Sequence, residues 1–73
     1  MASTDLDTPG KRIKFLRKSK GWTQETMARK VYVTQPAVAQ WEADLWLPAR
    51  PTQVLVAEQL GTTRAFLFEE QAS

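Results

Sequence analysis

Two glutamines in the stretch TQPAVAQWEAD, Gln35 and Gln40, offer the most specific chemistry in this 73-residue chain. A side-chain amide donates and accepts hydrogen bonds at once, so it can discriminate between partners where a charge would only attract them. The stretch reads as a short helix whose outward positions are Gln35, Pro36, Ala39 and Gln40, while Val38 and Glu42 share the opposite face, four residues apart. A solvated helix face usually carries Lys and Glu, so an outer face of amides and small groups suits a surface covered by something polar and patterned. Other chemistries are poorly provided for. The chain has no cysteine and no histidine, which removes disulfides, thiolate and imidazole catalysis and the commonest zinc ligands. Glu25, Glu42 and Glu58 fall in different helical segments with nothing to bring them together as an acid–base pair. The expectation is a binding protein and not an enzyme, with no metal and no cofactor.

Charge distribution points the same way. The net charge is only +2, yet eight of the ten Lys and Arg residues lie between Lys11 and Lys30, with Glu25 the single acid among them. The remaining acids gather at the N-terminus, around Glu42 and Asp44, at Glu58 and at Glu69–Glu70. One basic region against a mixed remainder fits an anionic contact surface. No apolar run approaches a membrane span, and MASTDLDT lacks the basic and apolar regions of a signal peptide, so a cytoplasmic location in a bacterial cell is expected.

The elements that must position the glutamines follow from caps and spacing. One small domain is expected over residues 1–73, ordered from about 8 to 68 with short flexible tails. Its core would supply no more than roughly 3–5 kcal/mol of net stability. Thr8-Pro9 opens a first helix carrying Ile13, Leu16 and Lys20, stopped by Gly21. Thr23 caps a second, TQETMARK, with Met27, Ala28 and Val31 as its apolar stripe. Thr34 caps a third, to about Glu42 or Ala43, and Pro36 is tolerated because first-turn amides have no intrahelical partner. LWLPARP is a loop. Pro51 starts a fourth helix ending at Leu60-Gly61, and Thr62-Thr63 caps a short fifth around Phe66–Phe68. QVLVA and RAFLF flank the turn-like LGTT, so a β-hairpin over 51–68 is the competing reading. Val56, Ala57 and Leu60 keep helical spacing, and the helical reading is preferred.

These residues carry a resemblance. TQETMARKVYVTQPAVAQWE is similar to the helix-turn-helix of the phage Cro and lambda-type repressor family, the XRE-like class, with the likeness running over about residues 10 to 68. The family pattern stands as Ile13, Leu16 and Arg17, then Thr23, Gln24, Met27 and Ala28, then Val33, Val38, Trp41 and Glu42, and finally Pro48, Ala57, Leu60-Gly61 and Leu67. The resemblance implies an all-α, compact five-helix lambda-repressor-like DNA-binding domain.

It also implies roles. The third helix would enter the major groove of a double-stranded DNA operator with Thr34, Gln35, Pro36 and Gln40 toward base edges. A glutamine there can pair with adenine N6 and N7, while Pro36 could meet only a thymine methyl. Thr23, Gln24, Arg50, Lys11 and Lys30 would approach the backbone, and Arg12, Lys14, Lys18 and Arg29 could add phosphate contacts, although one helix cannot turn all of its cations the same way. Arg17 and Glu42 resemble the family's partly buried ion pair between the first and third helices.

Two departures stand out. Tyr32 and Asp44 occupy positions where the family often has glycine, and a left-handed conformation there would cost about 1–2 kcal/mol each. The other departure is apolar excess. Leu45, Trp46, Leu47, Phe66 and Phe68 are expected at a symmetric homodimer interface, whereas Phe15 and Leu55 are expected to fold over the core. With no room for an effector domain after residue 68, the expectation is a Cro-like phage regulator. An antitoxin that binds DNA and a toxin protein is the alternative.

Overall fold

The computed structural model describes residues 6–69, so the outermost parts of the expected tails lie outside the described residues. Five helices follow in order: α1 (Pro9–Ser19), α2 (Gln24–Lys30), α3 (Gln35–Glu42), α4 (Arg50–Leu60) and α5 (Arg64–Phe68). Among the described residues there is no strand, and 51–68 is helical with a turn at Gly61. The domain is the five-helix, lambda-repressor-like fold.

Four helices start on a threonine whose hydroxyl accepts from the backbone N–H three residues on. Thr8 caps Lys11, Thr23 caps Thr26, Thr34 caps Ala37 and Thr63 caps Phe66. Each such cap is worth about 1 kcal/mol. The fourth helix differs from expectation by one residue. It begins at Arg50, with Ala49 as an N-cap that makes no side-chain bond and Pro51 in the first turn.

Helix ends share one device. Trp22 N–H donates to Arg17 O, Val33 to Ala28 O, Leu45 to Gln40 O and Thr62 to Ala57 O, a closure reaching back five residues each time. Such a closure needs a left-handed residue just before the donor. Gly21 and Gly61 supply it at φ 75° and 74°, but Tyr32 and Asp44 supply it at φ 61° without glycine's freedom.

The core is built from one stripe of each helix: Ile13 of α1, Met27 and Ala28 of α2, Val38 and Trp41 of α3, Val56, Ala57 and Leu60 of α4, and Leu67 of α5, with Val31 from the turn after α2. Leu55 packs against this cluster in a half-buried position. Phe15 does not, contrary to the sequence expectation. It is 51% exposed, because it lies two positions from Ile13, about 200° around the helix from the buried stripe.

The sequence reading missed two contacts that lock α1 in place. Gly10 is buried against the end of α3, where an added Cβ would collide with Trp41 O and stand 2.8 Å from Glu42 O. Asp44 then closes the junction, its carboxylate accepting from Gly10 N–H at 2.9 Å and from the Thr8 hydroxyl at 2.6 Å. Arg12 is one of the cations of α1 that turn inward instead of toward a phosphate. It is only 7% exposed and donates to the carbonyls of Leu67 and Asp7, tying α1 to α5. Its i,i+4 spacing to half-buried Leu16 was the signal that it points inward.

Candidate nucleic-acid interface

The site is a hydrogen-bonded chain that starts in the interior and ends at an exposed glutamine. Arg17 and Glu42 form its buried end, with Nε to Oε2 at 2.6 Å and Nη2 to Oε1 at 3.0 Å. Their side chains are 7% and 4% exposed. Arg17 Nη1 also donates to the Trp22 carbonyl at 2.6 Å, so the pair joins α1, α3 and the loop before α2. A buried ion pair is sustainable only when its remaining donors and acceptors are satisfied. Here they are, since no buried side-chain polar atom among the described residues lacks a partner.

Gln24 carries the chain outward. Its Nε2 donates to Glu42 Oε1 at 3.0 Å, and its Oε1 accepts from Gln35 Nε2 at 2.8 Å. The order of the atoms follows from chemistry. An ionised carboxylate only accepts, so Gln24 must turn its NH2 toward Glu42 and its oxygen toward Gln35. Gln35 must then turn its own NH2 toward Gln24. What Gln35 has left is its oxygen and one N–H, an acceptor beside a donor, which is the pair that adenine N6 and N7 require. The carboxylate inside the protein thereby fixes the orientation of an amide at its surface.

Along α3, Gln35, Pro36 and Gln40 are exposed and Ala39 is half-exposed, while Val38 and Trp41 face the core. Thr34 caps the helix at 3.4 Å, which uses an acceptor site and leaves its O–H proton able to donate outward. Thr23 is more committed: its hydroxyl both accepts from Thr26 N–H and donates to Thr26 Oγ1, leaving the first backbone amides of α2 as its contribution. Gln24, expected at the backbone, is held between Glu42 and Gln35 and keeps one free N–H. Arg50 stands exposed at the first position of α4, and Lys11 is exposed near the start of α1.

Lys30, also expected at the DNA backbone, makes a contact within the protein. It lies at the far end of α2 with its ammonium 4.7 Å from the centroid of the Trp22 ring, and Lys20 lies 5.5 Å from the same ring. Half-buried Trp22 draws both cations to itself.

The apolar residues divide. Leu45, Trp46 and Leu47 are 66%, 65% and 51% exposed in one continuous run after α3. Phe66 is at the margin of exposure, with the Arg12 guanidinium 6.0 Å from its ring centroid. Phe68, expected with them, is half-buried against the core, because the short α5 turns it inward beside Leu67. No group of three or more acidic, His or Cys side chains that could hold a metal occurs among the described residues. No described helix is long and apolar enough to cross a membrane.

A five-helix domain whose second and third helices present an exposed, amide-lined N-terminal face defines a helix-turn-helix protein. The chain belongs to the helix-turn-helix family, whose model matches residues 13–67, and within it to the XRE-like class of the Cro and lambda-type repressors. Among solved structures it resembles the c2 repressor of P22, in complex with a synthetic operator, at a TM-score of 0.84 and 23% identity over 88% of this chain and 97% of that one. It is also similar to SinR, a master regulator of biofilm formation, in complex with DNA, at 0.75 and 28% over 82% and 97%. A third is the restriction-modification controller protein C.AhdI from Aeromonas hydrophila, at 0.77 and 27% over 90% and 100%. No curated protein matches the sequence.

Proposed function

We propose that the protein is a sequence-specific DNA-binding transcriptional repressor of Cro type. It binds a pseudo-palindromic operator as a symmetric dimer and acts by occupying that operator, not by catalysis. The observation that carries this reading is the chain Arg17–Glu42–Gln24–Gln35, which prepositions a donor–acceptor pair on the exposed first turn of α3. Preorganising an amide lowers the entropy lost when it pairs with a base edge. Gln35 reads an adenine, Gln40 reaches a neighbouring base or phosphate, and Pro36 packs on a thymine methyl. Arg50 and the start of α2 meet the sugar–phosphate backbone. Leu45, Trp46 and Leu47, exposed as one run, form the dimer contact together with Phe66. Paired this way, two α3 helices would lie about 34 Å apart, one helical turn of DNA. The P22 c2 and SinR structures, both in complex with DNA, support the same use of the fold.

Selection of bound duplexes from a randomised library at low and high salt tests the proposal. The expected product is a pseudo-palindrome that survives high salt. Gln35→Ala should then cost about 1–3 kcal/mol on that site and relax preference at one position per half-site. Equal weakening on operator and random DNA would make Gln35 a positioning contact only. Recovery of nonspecific DNA alone, falling steeply with salt as counterion release requires, would overturn the proposal in favour of the antitoxin reading.

A further inference from the structure

The outer face of α1 carries a surface that the core does not use and whose lysines, Lys11 first among them, are otherwise candidates for the DNA backbone. Lys11, Lys14, Phe15 and Lys18 stand at spacing i, i+3, i+4 and i+7, a single stripe on the side away from Ile13 and Arg17. With Ser19 and Glu42 they line an open cleft of about 640 Å³. Glu42 does not neutralise the lysines, because its carboxylate is already bonded to Arg17 and Gln24. None of the three lysines has an acidic partner within ion-pair distance among the described residues. Between them Phe15 leaves half of its surface in water, although nothing in the fold requires a phenyl group at an outward position of α1.

Two chemistries are thus combined in one cleft, uncompensated positive charge and an exposed apolar ring. A duplex backbone would answer the lysines but offers the ring nothing apolar to cover it. A peptide bearing carboxylates around an aromatic or aliphatic side chain answers both, and a cleft of this volume accommodates several side chains. We propose that the cleft of Lys11, Lys14, Phe15 and Lys18 is a docking site for an acidic amphipathic segment of a partner protein, its apolar side chain seated on Phe15 and its carboxylates on the lysines. The cleft shares no lining residue with Leu45, Trp46, Leu47 and Phe66 or with the exposed Gln35, Pro36 and Gln40 of α3.

The test is selection of a displayed library of random linear peptides on the full chain, in the absence and presence of saturating duplex. Enriched peptides should be acidic with at least one aromatic or aliphatic residue. Their binding should fall about tenfold or more with Phe15→Ala and with the double variant Lys14→Glu, Lys18→Glu, as expected for anchor residues, and should be unchanged by Trp46→Asp. All four substituted residues are exposed, and circular dichroism establishes that each of the three variants folds. The proposal is overturned if nothing enriches, if the enriched peptides are neutral or basic, or if they bind Phe15→Ala undiminished. It is also overturned if duplex displaces the peptides while the two α1 variants weaken duplex binding equally, which would give the face to DNA. A change in sedimentation of the chain itself on Phe15→Ala would give it to a second copy.

Discussion

The two ends of α3 bear the same backbone strain and answer it differently. Tyr32, before the helix, and Asp44, after it, both sit at φ 61°, and each precedes an N–H that closes back five residues onto the previous helix. Asp44 converts its unfavourable conformation into a junction. The left-handed turn aims its carboxylate at Gly10 N–H and the Thr8 hydroxyl, so α1 begins where α3 ends. Tyr32 converts nothing: its side chain is 85% exposed, and no side-chain hydrogen bond offsets the strain. The C-terminal end of α3 is therefore anchored to α1 through Gly10, Asp44 and the Arg17–Glu42 pair. The N-terminal end is held by a threonine cap and by the hydrogen bond that Gln35 donates to Gln24. For the proposed reading of DNA by α3 this asymmetry is useful, because the anchored end sets the helix axis while the N-terminal end stays accessible.

The largest way to break the comparison is to remove the anchor from inside. Arg17→Ala strands a buried Glu42 carboxylate and is expected to cost about 3–5 kcal/mol, comparable to the whole stability of so small a domain. Urea denaturation followed by circular dichroism should find it largely unfolded, and a loss below about 1 kcal/mol would show that the pair is solvated in solution.

Gly10→Ala should come next. The new Cβ meets two backbone carbonyls of the α3 end, which cannot move without tilting the helix, and a loss of about 3 kcal/mol is expected. A near-neutral melting temperature would mean that the junction is looser than the contact distances imply.

Asp44→Gly separates strain from anchorage. Relief of the left-handed conformation offsets part of the loss of two hydrogen bonds to a charged acceptor, leaving a net destabilisation of about 1–2 kcal/mol. Stabilisation by this variant would remove the distinction between the two turns.

The smallest effect has the opposite sign. Tyr32→Gly relieves about 1–2 kcal/mol of strain against about 0.5–1 kcal/mol of added chain entropy, for a net gain near 0.5–1 kcal/mol. Thermal unfolding of the two glycine variants side by side measures the difference directly.

Much of this was legible in the sequence because it is local. Threonine caps three residues ahead of the amides they satisfy, glycines at helix ends and apolar residues three and four apart mark all five helices to within a residue or two. They also place Gln35, Pro36 and Gln40 on the exposed side of α3. What was illegible depends on contacts between helices distant in the chain. Arg12 reads as one more cation in a basic stretch until α5 brings the Leu67 carbonyl to it. Lys30 reads as a free cation until Trp22 is seen beneath its ammonium.

By itself, then, the sequence determined the helices, their order and the amide-rich exposed face of α3, since caps, periodicity and turn residues act within a few positions of one another. Only the tertiary structure decided that Gln24 spans Glu42 and Gln35, that Gly10 admits the end of α3, and that Asp44 redeems its own strain. Each of those depends on residues 11 to 36 apart in the chain meeting in space. Such pairings have no signature in local spacing, because the packing of the helices brings them about.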